Sequence, residues 1–307
     1  MIARAFSHKM DIKNVGYGKS NEHFISYAYT QINEGNNSRE MMQMCGIFGF
    51  ALKTRVPMVR VFRVLEKLEV HQYPQEPRPV GGYGAGVAIL KDEGSVVFEK
   101  VGKVDASPAR RLSEIVKISE ASVLVGHVRM PSPQFMETAR FKETAQPYVT
   151  RCYGGLTIVS AHNGSVTNYK EIRKKLGKAH IFESEKIELI DSEAIPHCFE
   201  ELLKEKADAE EALNGLFSAL EGSNAVSMLQ IGEENVFLHF IHKGKTRGLT
   251  IWTNKQNEVI FCSRKEPLAE EFSDVLAQGN FREKISIPWH GDVSLKLSFP
   301  LAFRVKE

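Results

Sequence analysis

Cys45 follows Met44 and opens the apolar run Cys45-Gly46-Ile47-Phe48-Gly49-Phe50. If the bond between Met44 and Cys45 is absent from the working protein, this one residue carries a thiol nucleophile and a free α-amine. A cysteine thiol titrates at about 8.5 and an α-amine at about 8, so the amine can take the thiol proton near neutrality. That pair is enough to start the hydrolysis of an amide. Three further polar clusters fall where apolar segments stop: Gly126-His127-Val128-Arg129, His162-Asn163-Gly164 and Asp191-Ser192-Glu193. Each has a plain structural explanation when taken singly. A lone cysteine in an apolar run is usually a small buried hydrophobe. Asn-Gly is a common turn dipeptide, Arg129 could be a surface residue, and Asp191 could be a helix cap. Together the four clusters have complementary chemical roles.

The elements that must position them read as an α+β pattern. Ile47, Gly49 and Ala51 alternate with Phe48, Phe50 and Leu52, as in a strand buried on both faces. Val56, Val59, Phe62, Leu65 and Leu68 recur at a helical interval around Pro57, a good first-turn residue. Strands are expected over Val87–Leu90, Val96–Val101, Ser122–Val128 and Leu156–Ala161, the last two ending in the polar clusters. Ser107-Pro108 caps and opens a helix, Tyr169–Leu176 is a short basic one, and the longest begins near Asp191. After Gly222 come strands at Ala225–Ile231, Val236–Ile241, Gly248–Thr253 and Glu258–Cys262, with Phe299–Phe303 as a last candidate. Strands joined by hairpins, with helices inserted, imply layered antiparallel sheets.

Composition narrows the class. A formal net charge of +2 over 307 residues gives no basic excess for nucleic acid. No stretch approaches the roughly 18 apolar residues of a membrane span, and the N-terminus lacks a secretory pattern. Cys45, Cys152, Cys198 and Cys262 are dispersed, with no C-x-x-C and no short Cys/His spacing, so a reduced cytoplasmic chain without metal or cofactor is expected. His239 and His242 lie three apart on an expected strand and so on opposite faces, against shared ligation. Residues 1–44 are polar and aperiodic and are expected to be a leader, propeptide or over-extended start without regular structure.

The motifs also resemble a known family. From Cys45 to about residue 265 the chain resembles class II glutamine amidotransferases, members of the N-terminal-nucleophile hydrolases. Met44-Cys45-Gly46-Ile47-Phe48-Gly49 looks like the family's opening, and Gly126-His127-Val128-Arg129 its Gly-His-x-Arg strand end. Glu143-Thr144-Ala145-Gln146-Pro147-Tyr148 is similar to a segment of the glutamine phosphoribosylpyrophosphate amidotransferase branch. Ala161 through Tyr169 carries the His-Asn-Gly motif, and Asp191-Ser192-Glu193 fits Asp-Ser/Thr-Glu. Five such motifs in order are specific.

The resemblance implies a four-layer αββα sandwich of two antiparallel sheets, with residues 45–307 forming one glutamine amidotransferase domain. It implies Cys45 as nucleophile and Asn163 and Gly164 as oxyanion donors. Arg129 would hold the α-carboxylate of glutamine and Asp191 its α-ammonium, with His127 and Ser132 lining the same pocket. Met130 stands where relatives often have an aromatic residue, which bears on how tightly the glutamine loop closes. Gly81-Gly82-Tyr83-Gly84-Ala85-Gly86 leads into a strand and lacks a Gly-Lys-Ser/Thr ending, so it is a turn and not a phosphate loop. No phosphoribosyltransferase or pyrophosphate-loop signature follows, so a separate synthase subunit, as in split glutamate synthases, is expected to accept the ammonia. The alternatives are a stand-alone amidohydrolase on a γ-glutamyl compound and a non-catalytic glutamine-sensing subunit.

Overall fold

A computed structural model describes residues 45–297, apart from 75, 207, 234, 247 and 286–290. The expectations for residues 1–44 and for a strand over Phe299–Phe303 lie outside the described residues. In chain order the principal elements are β1 (Gly46–Pro57), α1 (Met58–Val70), β2 (Gly84–Leu90), β3 (Val96–Gly102), α2 (Pro108–Ile115) and β4 (Glu120–Val128). There follow β5 (Tyr148–Thr150), β6 (Thr157–Val166), α3 (Tyr169–Lys175), α4 (Ala194–Glu205), α5 (Ala209–Ala219), β7 (Gly222–Ile231) and β8 (Val236–Lys243). The described part closes with β9 (Thr250–Thr253), β10 (Val259–Cys262), α6 (Lys265–Gln278), β11 (Arg282–Ile285) and β12 (Gly291–Lys296).

The strands form two antiparallel sheets. One has the order β11-β9-β10-β1-β4-β2-β3 and the other β12-β8-β7-β6-β5. Between them lies an apolar layer in which Ile47, Val123 and Val125 of the first sheet meet Val159, Leu229 and Phe240 of the second. The outer face of the first sheet carries Phe48, Phe50 and Leu124, packed against Phe62 and Leu65 of α1, Leu112 of α2 and Phe272 of α6. Phe48 and Phe272 meet edge to face at 5.2 Å, a favoured aromatic geometry. On the outer face of the second sheet, Ile158, Val226 and Ile241 pack against Ile172 of α3, Phe199 of α4 and Leu213 of α5. The result is the αββα sandwich expected from the sequence.

β1 is apolar throughout its first half because both of its faces are covered, one by the inter-sheet layer and one by α1 and α6. The helix after Pro57 is present, but its buried face differs from the expected one. Val56 belongs to β1 and Val59 is 56 % exposed, while Met58, Val61, Phe62, Leu65 and Leu68 point inward. A strict three-residue step turns 300° each time and drifts off one face, whereas the buried set uses steps of three and four. α2 is capped as expected, with the Arg110 N–H donating to Ser107 Oγ at 3.0 Å.

Two corrections bear on the site. β6 does not stop at Ala161 but continues to Val166, so His162-Asn163-Gly164 lies within a ladder, with Asn163 opposite Ala225 and Gly164 opposite Asn224. The Asn-Gly pair is therefore not a turn. Asp191–Glu193 forms a 3-10 turn ahead of α4, and the longest helix is α6. β5, α5, α6, β11 and β12 have no clear signal in the sequence pattern. α6 buries only Pro267, Leu268 and Phe272 within a highly charged segment, a weak periodic signal.

Candidate active site

Cys45 stands immediately before β1, whose first residue, Gly46, pairs with Val128 at the end of β4. This register sets the cysteine against the chain leaving β4. The Met130 N–H reaches Cys45 Sγ at 3.4 Å, and the thiol lies 3.3 Å from the Met130 carbonyl, to which it donates. Burial pushes the Cys45 thiol up to about 11, an effect to which the Asp191 charge adds and which the Met130 contact and Arg129 only partly offset. A thiol so placed stays protonated near neutrality, so attack needs a base that removes the proton as the bond forms.

The Cys45 N–H donates to Asn163 Oδ1 at 3.2 Å. Gly164 follows it with a φ of +137°, and a Cβ built there would lie 1.9 Å from the Ser223 carbonyl oxygen. Only glycine fits, and its backbone comes to line the cleft beside the thiol. The β6 ladder therefore fixes one side-chain amide and one close-approaching backbone unit next to the nucleophile.

Arg129 and Asp191 line the same cleft. Arg129 is buried, and it donates to Thr144 Oγ1 at 2.6 Å and Thr138 Oγ1 at 2.9 Å, two neutral oxygens. Its backbone is clamped by the turn before β2, giving its N–H to Gly84 O at 2.7 Å and accepting from Tyr83 N at 3.0 Å. Burial lowers the guanidinium's pKa from its ordinary value. Asp191 accepts from Val166 N at 3.0 Å through Oδ2, and from Ser192 N at 2.9 Å and Ser192 Oγ at 3.3 Å through Oδ1. Burial raises its pKa to about 6, against the opposing pull of those hydrogen bonds and of Arg129. Neither residue forms an ion pair among the described residues. A buried cation and a buried anion thus face one cleft without neutralising each other, an arrangement suited to a zwitterionic ligand.

Ser132 lines the cleft as expected. His127 does not: it shares the face of β4 that carries Val123 and Val125 and is sealed between the sheets, where burial lowers its pKa to about 3. Its place is inside the protein, as a neutral ring. His162 takes the position at the cleft instead, with Nδ1 2.9 Å from Ser192 Oγ. Gln146 ties these together, accepting from His162 N at 2.6 Å and donating to His162 O at 3.1 Å. A Cβ on Gly86 would lie 2.3 Å from the Gln146 carbonyl oxygen, so this glycine of β2 makes room for the strut. Gln146, His162 and Ser192 sit inside the quoted motifs, but nothing in the sequence assigned them to the cleft; Thr138, which braces Arg129, lies outside every motif. His239 bonds Gln230 Oε1 at 2.8 Å and His242 the Thr246 carbonyl at 3.0 Å, each on its own.

Known proteins resemble this chain in sequence and in fold. Residues 136–270 match the family model of the glutamine amidotransferase domain. The chain is 31% identical over 199 residues to a glutamine–fructose-6-phosphate aminotransferase of Sulfolobus acidocaldarius, covering 63% of this chain and 30% of that protein. A protein of the same name from Geobacillus kaustophilus is 29% identical over 192 residues, covering 62% and 28%. The chain thus spans about a third of the length of the curated relatives it matches. Among solved structures, glutamine phosphoribosylpyrophosphate amidotransferase from B. subtilis aligns with a TM-score of 0.53 at 18% identity, over 83% of this chain and 49% of that one. The allosteric regulatory enzyme of purine biosynthesis aligns at 0.54 and 16%, with the same coverage. At these identities the structural likeness speaks to the fold. No described helix is long and apolar enough to cross a membrane.

Proposed function

We propose that this chain, which carries a class II glutamine amidotransferase domain, hydrolyses the side-chain amide of glutamine to glutamate and ammonia through a thioester on Cys45. On this reading Cys45 is the mature N-terminus, which is supported by β1 beginning at the next residue and by the Cys45 N–H donating to Asn163 Oδ1. The observation that carries the proposal is the convergence on one cleft of the Cys45 thiol, a buried Arg129 and a buried Asp191.

Arg129 takes the α-carboxylate of glutamine with its guanidinium fork, and Asp191 takes the α-ammonium. The two charges fix the head of the substrate and leave its side-chain amide over Cys45. As Sγ attacks the amide carbon, the Cys45 α-amine takes the thiol proton, and the carbonyl becomes an oxyanion received by the Asn163 side-chain amide and the Gly164 N–H. The amine returns the proton to the leaving nitrogen, ammonia departs, and a γ-glutamyl thioester remains. Water then attacks the thioester, giving its proton to the amine, and collapse restores the thiol and releases glutamate. Burial of the thiol fits this order, since the proton leaves only when a substrate carbon is there to attack.

The ammonia acceptor is assigned to a synthase subunit. The curated relatives are named for aminotransfer from glutamine to a sugar phosphate, and the match covers 30% of their length or less. The test is ammonia release from glutamine by the wild type and Cys45→Ala, alone and with whatever co-purifies from the native source. Release lost in Cys45→Ala and raised by a co-purifying synthase supports the assignment. Equal release by both proteins contradicts the chemistry. Full turnover without any partner contradicts only the synthase.

A further inference from the structure

Away from the cleft, the fold brings together four side chains that lie far apart in the chain or one helical turn apart: Cys152 after β5, His180 between α3 and the 3-10 turn at Ser184–Lys186, and His197 and Glu200 three apart on α4. Their ligating atoms all lie within 4.8 Å of one another. His180 Nδ1 and His197 Nδ1 are 3.1 Å apart, and Cys152 Sγ is 3.5 Å from His197 Nδ1. Glu200 Oε2 is 3.6 Å from His180 Nδ1 and 3.8 Å from His197 Nδ1. Tetrahedral zinc with bonds of about 2.0–2.3 Å to nitrogen, oxygen and sulfur separates its ligands by roughly 3.3–3.6 Å. Four of the cluster's six edges, at 3.1, 3.5, 3.6 and 3.8 Å, already lie near that range, and the other two are within 4.8 Å.

Two independent observations point to a cation at its centre. Glu200 is fully buried; its Oε1 accepts the backbone N–H groups of Cys152 at 2.7 Å and Tyr153 at 3.3 Å, while its Oε2 finds no hydrogen-bond partner among the described residues. A buried carboxylate oxygen left so is costly unless something positive meets it. The second is the orientation of His180. Its Nε2 donates to Glu201 Oε2 at 2.9 Å, which in the neutral ring leaves the Nδ1 facing the cluster as a lone pair. A carboxylate behind a histidine is the arrangement that orients a metal ligand, and Tyr153 donates to the same Glu201. His197 is held by stacking on Phe182 at 4.0 Å, with Nε2 turned toward Glu193.

We infer that Cys152, His180, His197 and Glu200 form a structural zinc site. The donor set of one thiolate, two imidazoles and one carboxylate suits Zn²⁺, and four protein ligands leave no open position, as in sites that hold structure and not substrate. Binding replaces the Cys152 thiol proton with the metal and releases that proton to solvent. The ion would join the β5 exit, the His180 segment and α4. The 3-10 turn preceding α4 contains Asp191, so the site steadies the side of the cleft expected to grip the substrate ammonium. Linear spacing gave no hint of it, because the ligands lie 28, 17 and 3 residues apart in sequence (152 to 180, 180 to 197, 197 to 200).

The test uses the tag-free full chain purified without chelator. Elemental analysis is expected to find about one zinc per chain, and X-ray absorption at the zinc edge to show one sulfur among nitrogen and oxygen ligands. After chelation, cobalt should give a single thiolate charge-transfer band saturating at one equivalent, with Tm falling several degrees on stripping and recovering with zinc. Cys152→Ser should abolish the band and the isosteric Glu200→Gln weaken it, while Cys198→Ser leaves it unchanged. Protein that retains no zinc and gives no thiolate–cobalt band overturns the inference without recourse to any variant. So does a band of full strength in Cys152→Ser, or a zinc shell without sulfur.

Discussion

Replacing Arg129 with methionine separates a binding role from a structural one. The guanidinium is buried, its pKa is lowered by that burial, and it has no ion-pair partner among the described residues. Its two hydrogen bonds go to Thr144 Oγ1 and Thr138 Oγ1, whose hydroxyls already donate to backbone carbonyls, Thr144 to Thr138 O at 2.8 Å and Thr138 to Phe135 O at 2.7 Å. Removing the arginine therefore leaves no buried donor stranded, and it removes an uncompensated charge. Stability should stay within about 1 kcal/mol of the wild type, since the burial cost of the guanidinium is lost together with its two hydrogen bonds. Substrate binding should suffer far more. A bidentate carboxylate pair comprises two charge-assisted hydrogen bonds of about 1.5–3 kcal/mol each, so Arg129→Met should lose about 3–6 kcal/mol, roughly a hundred- to ten-thousand-fold in kcat/KM. Most of the loss should fall on KM, because the carboxylate is remote from the reacting amide. Arg129→Lys keeps the charge without the fork and should recover part of it. The assay is glutamate dehydrogenase-coupled glutamine hydrolysis alongside thermal unfolding. The decarboxy analogue 4-aminobutanamide should be hydrolysed equally poorly by both proteins. A variant that unfolds early while keeping its KM for glutamine refutes the argument.

Other consequences follow from the same geometry. Asn163→Ala should lower kcat by about a hundred- to a thousand-fold, the effect of deleting one oxyanion donor, with the fold intact by circular dichroism. Gly164→Ala should lower Tm sharply and abolish ammonia release, because it combines a φ of +137° with a Cβ 1.9 Å from Ser223 O; Gly154→Ala, where a Cβ meets nothing within 4 Å, is the silent control. Asp191, raised by burial to about 6, must ionise to accept an ammonium, so kcat/KM for glutamine should rise with pH through about 6, and Asp191→Asn should remove that limb. The stability contribution has the opposite sign. An acid whose native pKa exceeds its unfolded value of about 3.9 binds its proton more tightly when folded, so its contribution is present at low pH and is lost as pH rises from about 4 to 6. Urea unfolding across that window, comparing wild type with Asp191→Asn, measures it.

How much of this the chain displayed depends on whether a residue's role is local. Cys45, Arg129 and Asp191 announce themselves by side-chain chemistry at segment ends, and the alternation around Ile47 declares a strand covered on both sides. Asn163-Gly164 was recognisable as a motif but not as part of a continuing strand, because the ladder to Ala225 and Asn224 overrides the turn preference of an Asn-Gly pair. The motif around His127 points it to the cleft, whereas the two-residue period of β4 turns it between the sheets with Val123 and Val125. Thr138 was invisible because bracing a guanidinium needs only a hydroxyl at the right distance. The Cys152 cluster was invisible because it exists only after β5, the His180 segment and α4 have docked.

The most direct test is the mass of the protein that turns over glutamine, measured intact and after inactivation by a glutamine-mimicking diazoketone. The expected result is a chain beginning at Cys45, with one adduct on the sulfur of that first residue and ammonia release falling in proportion to the adduct. A fully active protein in which the Met44–Cys45 bond is unbroken, or one labelled elsewhere while Cys45 stays free, would contradict the account.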